Sequence, residues 1–404
     1  MAGKAVKGNM IIGQSGGPTA VINQSLIGAV TEAFKHKEIS NVYGMLNGID
    51  GILEDRIIDF GKEDKKQLLK VAQTPAAALG SCRHKPTEEE CETIFEKLKK
   101  LDVRYFFYNG GNDTAETAHI INEIAKKRDY ELRIFHIPKT IDNDLRETDH
   151  CPGYASAAKY VAMCFMGNNM DNIALPGIKI DVVMGRHAGW LTAASSLATT
   201  QGVDGPHLIY VPERPISLSD FTKQVLDTYE KYGRALVAVS EGLKTPDGKL
   251  MIESKLTEKD SHGNVQLSGS GMMGDFLVQA VKDAAGSKKL RVRSDTLGYA
   301  QRSFPGIYSE IDAKEAWMVG QNAVKYALSG NIDGSVILQR VSDGAKYKSK
   351  TALTELSKVA KHTKDLPVDF MNEEGNYVSS KFLDYAKPIV GPIPELGVLK
   401  KIRI

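Results

Sequence analysis

The chain has 404 residues, which is too long for one small hydrophobic core and favours two or three packed lobes. Charged residues make up 25% and apolar residues 42% of the chain, and these ordinary globular proportions exclude a largely disordered protein. The net charge of +2 argues against a broad nucleic-acid-binding face, while a local cluster of Lys and Arg can still hold a small phosphorylated ligand.

Short apolar runs rich in β-branched and aromatic residues alternate with helical patterns through about the first 240 residues. This alternation is typical of a parallel sheet covered by helices on both faces, so the predicted fold class is α/β. Ligands of open α/β sheets bind beyond the carboxyl ends of the strands, so we expect functional residues in the loops that follow them. The predicted strands are Met10–Ile12, Val103–Tyr108, Leu132–Ile137, Ile178–Met184, Leu208–Val211 and Ala235–Val239.

A glycine-rich loop, Gly13–Thr19, follows the first predicted strand and leads into a helical pattern over Ala20–Phe34. Backbone N–H groups in such a loop, together with the positive end of a helix dipole, can bind phosphate. The pattern matches neither the Walker motif nor the dinucleotide-binding fingerprint. A tight turn with Pro18 at the first helical position is therefore the alternative interpretation.

A second loop, Asn109–Thr114, joins the strand Val103–Tyr108 to a predicted helix over Ala115–Ile124. Asp113 and Glu116 have the spacing of a capping box, so a structural role for Asp113 is the alternative to a functional one. The two roles are compatible at one position.

A third loop, Pro138–Asp144, directly follows the strand Leu132–Ile137. Within the six residues from Lys139 to Asp144 it carries two carboxylates, a lysine and a hydroxyl, a compact acid–base and charge-neutralising set suited to phosphoryl transfer. The alternative is that Asp142, Asn143 and Asp144 simply form a turn.

The rest of the chain carries fewer signals. Residues 243–270 are polar and contain glycine, which predicts a surface excursion. Residues 346–404 are less regular and contain four prolines, so we expect an extension packed on the body of the protein. The four cysteines have no CxxC spacing, and neither an apolar leader nor a run of 18 apolar residues occurs, so a cytoplasmic location is expected.

Five loop segments carry a specific resemblance: Gly110–Asp113, Pro138–Asp144, Met184–Trp190, Ser240–Gly242 and Leu297–Arg302. In this order they resemble the signature loops of the phosphofructokinase family, over about residues 10–345. The resemblance implies two Rossmann-like three-layer α/β/α domains with parallel-rich sheets. The donor-binding domain would comprise residues 1–150 and about 302–345, and the domain that binds fructose 6-phosphate would comprise residues 151–301.

The resemblance also implies residue roles. Asp142 would be the general base that takes the proton from the 1-hydroxyl of the sugar, supported by Asp144, with Asp113 and Lys139 completing the catalytic set. A carboxylate suits this task because phosphoryl transfer needs positioning and charge neutralisation more than a strong base. The residues implied in binding fructose 6-phosphate are Thr140, Ile141, Asp142, Met184, Gly185, Arg186, Glu241, Tyr299, Ala300, Gln301 and Arg302.

Arg293 resembles an arginine that a neighbouring subunit donates to the sugar 6-phosphate, so a homodimer or homotetramer is expected. Arg83, Gly16 and Lys139 would bind the donor phosphates. Magnesium would be the cofactor, with Asn112 in its shell. Family members usually carry Asp at the position of Asn112, and an amide keeps an oxygen ligand but loses its charge.

Two positions favour pyrophosphate as the donor, because members that use ATP carry glycine where this chain has Asp113 and Lys139. A carboxylate in the space of the α-phosphate of ATP would cost up to about 4 kcal/mol at roughly 4 Å with an effective dielectric constant near 20. Lys139 can neutralise charge on a short, highly charged donor. The resemblance therefore implies the pyrophosphate-dependent branch. The alternatives are an ATP-dependent enzyme of the same fold and a noncatalytic regulatory subunit.

Overall fold

The computed structural model describes residues 5–199, 204–253, 270–360, 363–397 and 399. They form two compact units: unit 1 holds Met1–Ala157 and Ala300–Lys364, and unit 2 holds Ala158–Tyr299 and Asp365–Ile404, each within its described residues. The greater part of the predicted surface excursion, residues 254–269, lies outside the described residues. None of the helices in these ranges is long and apolar enough to cross a membrane.

Unit 1 is built on a seven-stranded sheet with the strand order β11-β10-β5-β4-β1-β2-β3. The five inner strands are parallel, and antiparallel β11 and β3 form the two edges. Its strands are β1 (Gly8–Gln14), β2 (Ile39–Met45), β3 (Ile57–Asp59), β4 (Val103–Gly110), β5 (Arg133–Pro138), β10 (Asp333–Ser342) and β11 (Lys348–Thr354). Its helices are α1 (Ile22–Ala33), α2 (Ile49–Leu53), α3 (Lys65–Ala72), α4 (Glu88–Lys100), α5 (Asn112–Lys127), α10 (Glu310–Leu328) and α11 (Leu356–Val359).

The central strand β1 explains why this sheet is covered on both faces. Met10, Ile11 and Ile12 are all fully buried, as expected for a parallel strand between two others. Successive side chains of a strand point to opposite faces. Accordingly, Met10 and Ile12 belong to one core cluster and Ile11 to another, which gives unit 1 its three layers.

Helices α1 and α10 pack closely in unit 1 because each presents a glycine to the other's backbone. A Cβ atom at Gly28 would lie 2.5 Å from the carbonyl oxygen of Trp317, and one at Gly320 would lie 2.0 Å from that of Ser25. Both distances are too short for any side chain. The sequence of these helices therefore specifies a backbone-to-backbone contact.

Unit 2 is built on a four-stranded parallel sheet with the order β7-β8-β6-β9. Its strands are β6 (Ile178–Val183), β7 (Leu208–Tyr210), β8 (Ala235–Ser240) and β9 (Val292–Thr296), and its helices are α7 (Trp190–Ala194), α8 (Leu218–Tyr232), α9 (Met272–Ala285) and α12 (Ser380–Val390). Helix α6 (Tyr154–Ala174) begins in unit 1 and continues into unit 2. An apolar core that includes Ile178, Val182 and Val237 lies against the sheet.

All six predicted strands are present, with ends within a few residues of the predicted ones. The predicted α/β class with parallel-rich sheets is confirmed. The residues expected as a C-terminal extension, 346–404, are shared between the units: β11 is an edge of the sheet of unit 1, whereas residues 365–404 belong to unit 2.

Candidate active site

The loops after β1, β4 and β5 lie side by side in unit 1, because these strands are parallel neighbours. Gln14 at the end of β1 pairs with Asn109 of β4, and Gly110 of β4 pairs with Pro138 of β5. Strand β2 lies on one side of β1 and β4 lies on the other, so the strand order reverses at β1 and this edge is a switch point of the topology. The three loops predicted from the sequence therefore meet at the expected place for a ligand.

The glycine loop after β1 allows positive side chains to approach the backbone. Gly16 has φ of +76°, and a Cβ atom there would lie 3.1 Å from Nζ of Lys139. A Cβ atom at Gly17 would lie 3.2 Å from the guanidinium carbon of Arg302. Side chains at these positions would crowd both cations, so the glycines keep the space around them open.

Two details of this loop differ from the sequence prediction. Helix α1 begins at Ile22, with Val21 as its N-cap, so the alternative placement of Pro18 at the first helical position was wrong. The N–H of Gly16 donates to the carbonyl oxygen of Cys82 at 2.9 Å, and the Ser81 hydroxyl donates to the carbonyl oxygen of Gly16 at 2.6 Å. Gly16 thus binds the next loop with its own backbone groups.

That next loop carries Arg83, an exposed side chain directly after the Cys82 carbonyl that holds Gly16. Its neighbour His84 pairs with Asp50 at 2.6 Å and with Glu90 at 3.1 Å. These pairs fix the backbone on the far side of Arg83. The backbone of Arg83 is therefore next to the glycine loop, and its neighbours Cys82 and His84 are both held.

Lys139, at the end of β5, is the most buried cation of the site, with 3% of the residue exposed. Its Nζ donates to the carbonyl oxygen of Gly17 at 2.8 Å. Burial and the positive charges of Arg302 and Arg83 lower the pKa of Lys139 to about 8, although Asp142 and Asp144 act in the opposite direction. Three cations and two carboxylates therefore share one electrostatic environment, in which burial has the largest influence on the pKa of Lys139.

Asp113 lies in the first turn of α5, directly beyond the end of β4, and its side chain is exposed. The predicted capping box is absent: Gly111 is the N-cap, no side chain caps it, and Glu116 instead pairs with Nζ of Lys85 at 2.8 Å. The helix dipole stabilises a carboxylate at this end of a helix. Asp113 thus places a negative charge at the end of β4, and its side chain does not cap the helix.

The loop Pro138–Asp144 has a defined conformation. The amide of Asp142 donates to the Thr140 hydroxyl at 3.0 Å, and Asn143 has φ of +56°, in the left-handed region that asparagine tolerates. Asp142 and Asp144, on either side of Asn143, are partly buried, while Ile141 is buried. The two carboxylates therefore retain access to solvent.

In unit 2 the ends of β6 and β8 bring two further predicted loops together. Val183 pairs with Ser240 in the sheet, so Met184–Arg186 and Glu241 follow side by side. The Ser240 hydroxyl donates to the carbonyl oxygen of Gly185 at 2.6 Å, and the amide of Gly185 lies 3.5 Å from Oε1 of Glu241. Glu241 is 6% exposed, which suits a carboxylate that accepts hydrogen bonds from a bound sugar.

Gly242 makes the closest approach between these two loops. A Cβ atom there would lie 2.0 Å from the carbonyl oxygen of Arg186. Only glycine fits, so the arginine backbone and the glutamate loop are held together. Neither the contact of Gly242 nor that of Gly17 was predicted, and the only signal in the sequence is a glycine next to a predicted site residue.

The last predicted group follows β9. Tyr299 and Ala300 are exposed, Gln301 is 1% exposed, and all three lie with Arg302 in a short 3-10 helix over Gly298–Arg302. Burial of Gln301 leaves its neighbours as the solvent-facing groups of this helix. Arg302, predicted as a ligand of the sugar phosphate, lies beside Gly17 in unit 1.

Arg293 is exposed on β9, one of the two edge strands of the sheet in unit 2. An edge strand presents its side chains and backbone to the surroundings.

Asn112, predicted near magnesium, is the first residue of α5 and is partly buried. Within the described ranges, no group of three or more His, Cys, Asp or Glu side chains is arranged to hold a metal ion.

Comparison with known proteins identifies the family. The phosphofructokinase family model matches residues 9–327. The pyrophosphate--fructose 6-phosphate 1-phosphotransferase of Rhodospirillum rubrum is 49% identical over 95% of both chains, and the enzyme of that name from Xanthomonas campestris is 39% identical over 95% of this chain and 91% of its own.

A solved structure agrees with these relatives. The pyrophosphate-dependent phosphofructokinase of Nitrosospira multiformis has a TM-score of 0.84 at 32% identity, covering 98% of this chain and 94% of its own. The order of the matching loops, the architecture and the length of the match point to one conclusion. This chain belongs to the phosphofructokinase family.

Proposed function

We propose that this protein transfers a phosphoryl group from pyrophosphate to the 1-hydroxyl of fructose 6-phosphate, giving fructose 1,6-bisphosphate and phosphate, and that it catalyses the reverse reaction as well. The names and high coverage of its relatives support this substrate pair. The donor assignment depends on two charged residues at neighbouring strand ends. Asp113 follows β4, and buried Lys139 follows β5.

The charges in unit 1 favour a short, highly charged donor. Lys139 is buried near Arg302 and Arg83, so nearby negative charge does not fully balance its positive charge. A bound pyrophosphate would supply the missing negative charge. Asp113 adds a negative charge at the neighbouring strand end, which disfavours the longer phosphate chain of a nucleotide. These two effects act in the same direction. They favour pyrophosphate over ATP.

In the proposed reaction Asp142 accepts the proton of the sugar 1-hydroxyl while that oxygen attacks the near phosphorus of pyrophosphate. The bridging P–O bond breaks and inorganic phosphate leaves. Arg83 and Lys139, for which Gly16 leaves room, stabilise the negative charge that develops on the transferred and departing phosphates. Asp144 supports the electrostatic environment of Asp142.

We infer that magnesium is the cofactor: pyrophosphate oxygens and water would supply most of its ligands, and Asn112 would contribute its amide oxygen. This donor set fits a cation that keeps much of its hydration shell and needs few protein ligands. When bound, the ion would neutralise phosphate charge during transfer.

On this proposal the groups assigned to pyrophosphate lie in unit 1, whereas those assigned to fructose 6-phosphate occur in both units. In unit 2, Met184, Gly185 and Arg186 would bind the sugar phosphate, Glu241 would accept its hydroxyl groups, and Tyr299 would face it. In unit 1, Thr140, Ile141, Asp142, Ala300, Gln301 and Arg302 are assigned to the same substrate.

A coupled assay of the purified protein tests the proposal. Fructose 6-phosphate and Mg²⁺ are supplied with either pyrophosphate or ATP, and the fructose 1,6-bisphosphate formed is measured. The expected result is turnover with pyrophosphate that exceeds the rate with ATP and is lost on addition of EDTA. A higher rate with ATP would reject the donor assignment, and no turnover with either donor would favour the noncatalytic alternative.

We further infer that the protein is a cytoplasmic homodimer or homotetramer in which Arg293 reaches the site of a neighbouring copy. Its exposure on an edge strand supports this role. The test mixes R293A and E241Q, each expected to be inactive by itself, after reversible dissociation. Mixed oligomers should regain activity, since one kind of site in them has both residues intact; no recovery in verified mixed oligomers would contradict the shared site.

A further inference from the structure

The segment from Thr140 to Gly153 forms a closed loop in unit 1. Its two ends meet: Thr140 and Gly153 form an isolated parallel bridge, and the amide of Thr140 donates to the carbonyl oxygen of Pro152 at 3.2 Å. Asp142 and Asp144 lie on the outgoing arm of this loop. Their orientation therefore depends on how the returning arm is held.

One side chain joins the two arms. Asn143 is fully buried, and its Oδ1 accepts a hydrogen bond from the amide of Cys151 at 3.0 Å. Because Asn143 lies between Asp142 and Asp144 in a left-handed conformation, this bond fixes the direction in which the chain presents both carboxylates. The position of the Cys151 amide therefore affects the orientation of Asp142 and Asp144.

The residue before Cys151 is a fully buried histidine held from both sides. Nδ1 of His150 lies 2.7 Å from Oδ2 of Asp149, and Nε2 lies 2.6 Å from Oε2 of Glu315. Burial alone would lower the pKa of His150, but the two carboxylates outweigh it and raise the pKa to about 9. The ring is therefore an imidazolium that donates to both carboxylates at neutral pH.

Other charged and polar groups anchor this clamp to the sheet and to α10. Oε1 of Glu315, a residue of α10, accepts hydrogen bonds from the Tyr347 hydroxyl at 2.6 Å and from the hydroxyl of Ser349 on β11 at 2.5 Å. Asp149 pairs with Arg340 of β10 at 3.0 Å. Nζ of Lys364 donates to the carbonyl oxygens of Thr148 and Asp149 at 3.0 and 2.9 Å.

We propose that His150 is a positioning residue for the reaction: clamped between Asp149 and Glu315, it fixes the Cys151 amide that holds Asn143, and so sets the orientation of Asp142 and Asp144. This inference rests on the proposed role of Asp142 as general base. His150 itself is fully buried and acts through Asn143. Misplacement of a catalytic group by about 1 Å costs roughly 100-fold in rate, so the effect should appear in kcat.

The test is a double-mutant cycle with H150Q and N143A, measured as kcat and as KM for both substrates. Each single variant should lower kcat by about 10- to 100-fold with little change in KM. The kcat of the double variant should be no lower than that of the less active single variant, because both changes break the same chain of contacts. E315Q, which keeps a hydrogen-bonding group of the same shape beside the imidazole, should lose less activity than H150Q.

Hydrogen–deuterium exchange of the same variants separates positioning from general destabilisation. Exchange should rise in peptides that cover residues 140–153 and stay unchanged in β1 and β2. The control is H36Q, which removes an imidazole–carboxylate pair distant in sequence from the loop: partly exposed His36, just beyond α1, with buried Glu32 at 3.1 Å. It should leave both kcat and the exchange of the loop unaltered.

Several results would overturn the proposal: multiplicative losses in the cycle, an unchanged kcat in H150Q, or a rise in exchange across the whole sheet. If H150Q does not fold, the cycle of E315Q with N143A decides in the same way. Failure of the proposed function would be recognised separately, because the wild-type protein would then lack pyrophosphate-dependent turnover while the exchange of the loop could still be measured.

Discussion

Nζ of Lys139 donates a hydrogen bond to the carbonyl oxygen of Gly17 at 2.8 Å from a residue that is only 3% exposed. The contact leaves the ammonium with a neutral partner rather than a carboxylate. Burial and neighbouring guanidinium groups lower the pKa of Lys139 to about 8, from the usual 10.5. Lys139 therefore loses the positive charge that would bind the donor at a lower pH than an ordinary lysine does.

This pKa predicts a pH dependence of donor binding. Below about pH 8 Lys139 is protonated and can pair with pyrophosphate, whereas above this pH the free protein has released the proton and binding must restore it. KM for pyrophosphate should therefore rise above pH 8, by roughly tenfold per pH unit. The measurement is KM against pH for the wild type and for K139R, whose guanidinium stays charged throughout. Parallel profiles would show that Lys139 does not cause the change.

Asp113 is expected to decide between donors. D113G and the isosteric D113N should raise the rate with ATP relative to the rate with pyrophosphate, since each removes the carboxylate that would meet a nucleotide phosphate. The repulsion is worth up to about 4 kcal/mol, so the ratio of kcat/KM for the two donors should shift by as much as about 1,000-fold. E123Q, further along α5, is the control and should leave the ratio unchanged. An unaltered ratio in D113N would remove Asp113 from donor choice.

Loss of the proposed base should separate catalysis from binding. D142N should lower kcat by about 100- to 10,000-fold while KM for both substrates changes little, because the amide keeps the shape of the side chain but cannot accept the proton. D144N should have a smaller effect, because Asp144 has only a supporting electrostatic role. Steady-state kinetics with both substrates varied provides the check. A D142N variant within a few fold of the wild type would mean that another group is the base.

The contact at Gly242 predicts a selective defect in unit 2. In G242A the new methyl group would meet the carbonyl oxygen of Arg186, so the Met184–Arg186 loop must shift. KM for fructose 6-phosphate should rise by about 10- to 100-fold while KM for pyrophosphate stays nearly constant. The control is G167A, in helix α6, where a Cβ atom meets nothing within 4 Å and stability should rise by about 0.5–1 kcal/mol. Equal changes in both KM values would point to general destabilisation.

Much of this fold could be predicted because its central strands are continuous apolar runs. Strands such as β4, with Tyr105-Phe106-Phe107-Tyr108, can be recognised without knowing their neighbours. Strand β9, Val-Arg-Ser-Asp-Thr, was not predicted, because an edge strand is only partly buried and its composition is polar. Strands β10 and β11 were missed for a similar reason: β10 ends in a polar, partly exposed half, and β11 is mostly polar.

The candidate site shows the same limit at the level of contacts. The strand-end loops could be located from sequence, since a turn after a buried strand has a recognisable composition. The hydrogen bond from Gly16 to Cys82 joins residues from separate loops, and no local pattern encodes it. The clamp on His150 likewise draws on α10 and β11, more than 160 residues away in the case of Glu315. Such contacts arise from tertiary packing alone.

Most of the groups assigned to pyrophosphate follow strands of the seven-stranded sheet, whereas Arg186 and Glu241 follow strands of the four-stranded sheet. The loops that hold Arg186 and Glu241 can therefore vary without changes in the loops of unit 1. A lineage built on this architecture can exchange its phosphoryl source while keeping its sugar, or its sugar while keeping its phosphoryl source. We therefore expect that single substitutions can change the phosphoryl donor during evolution.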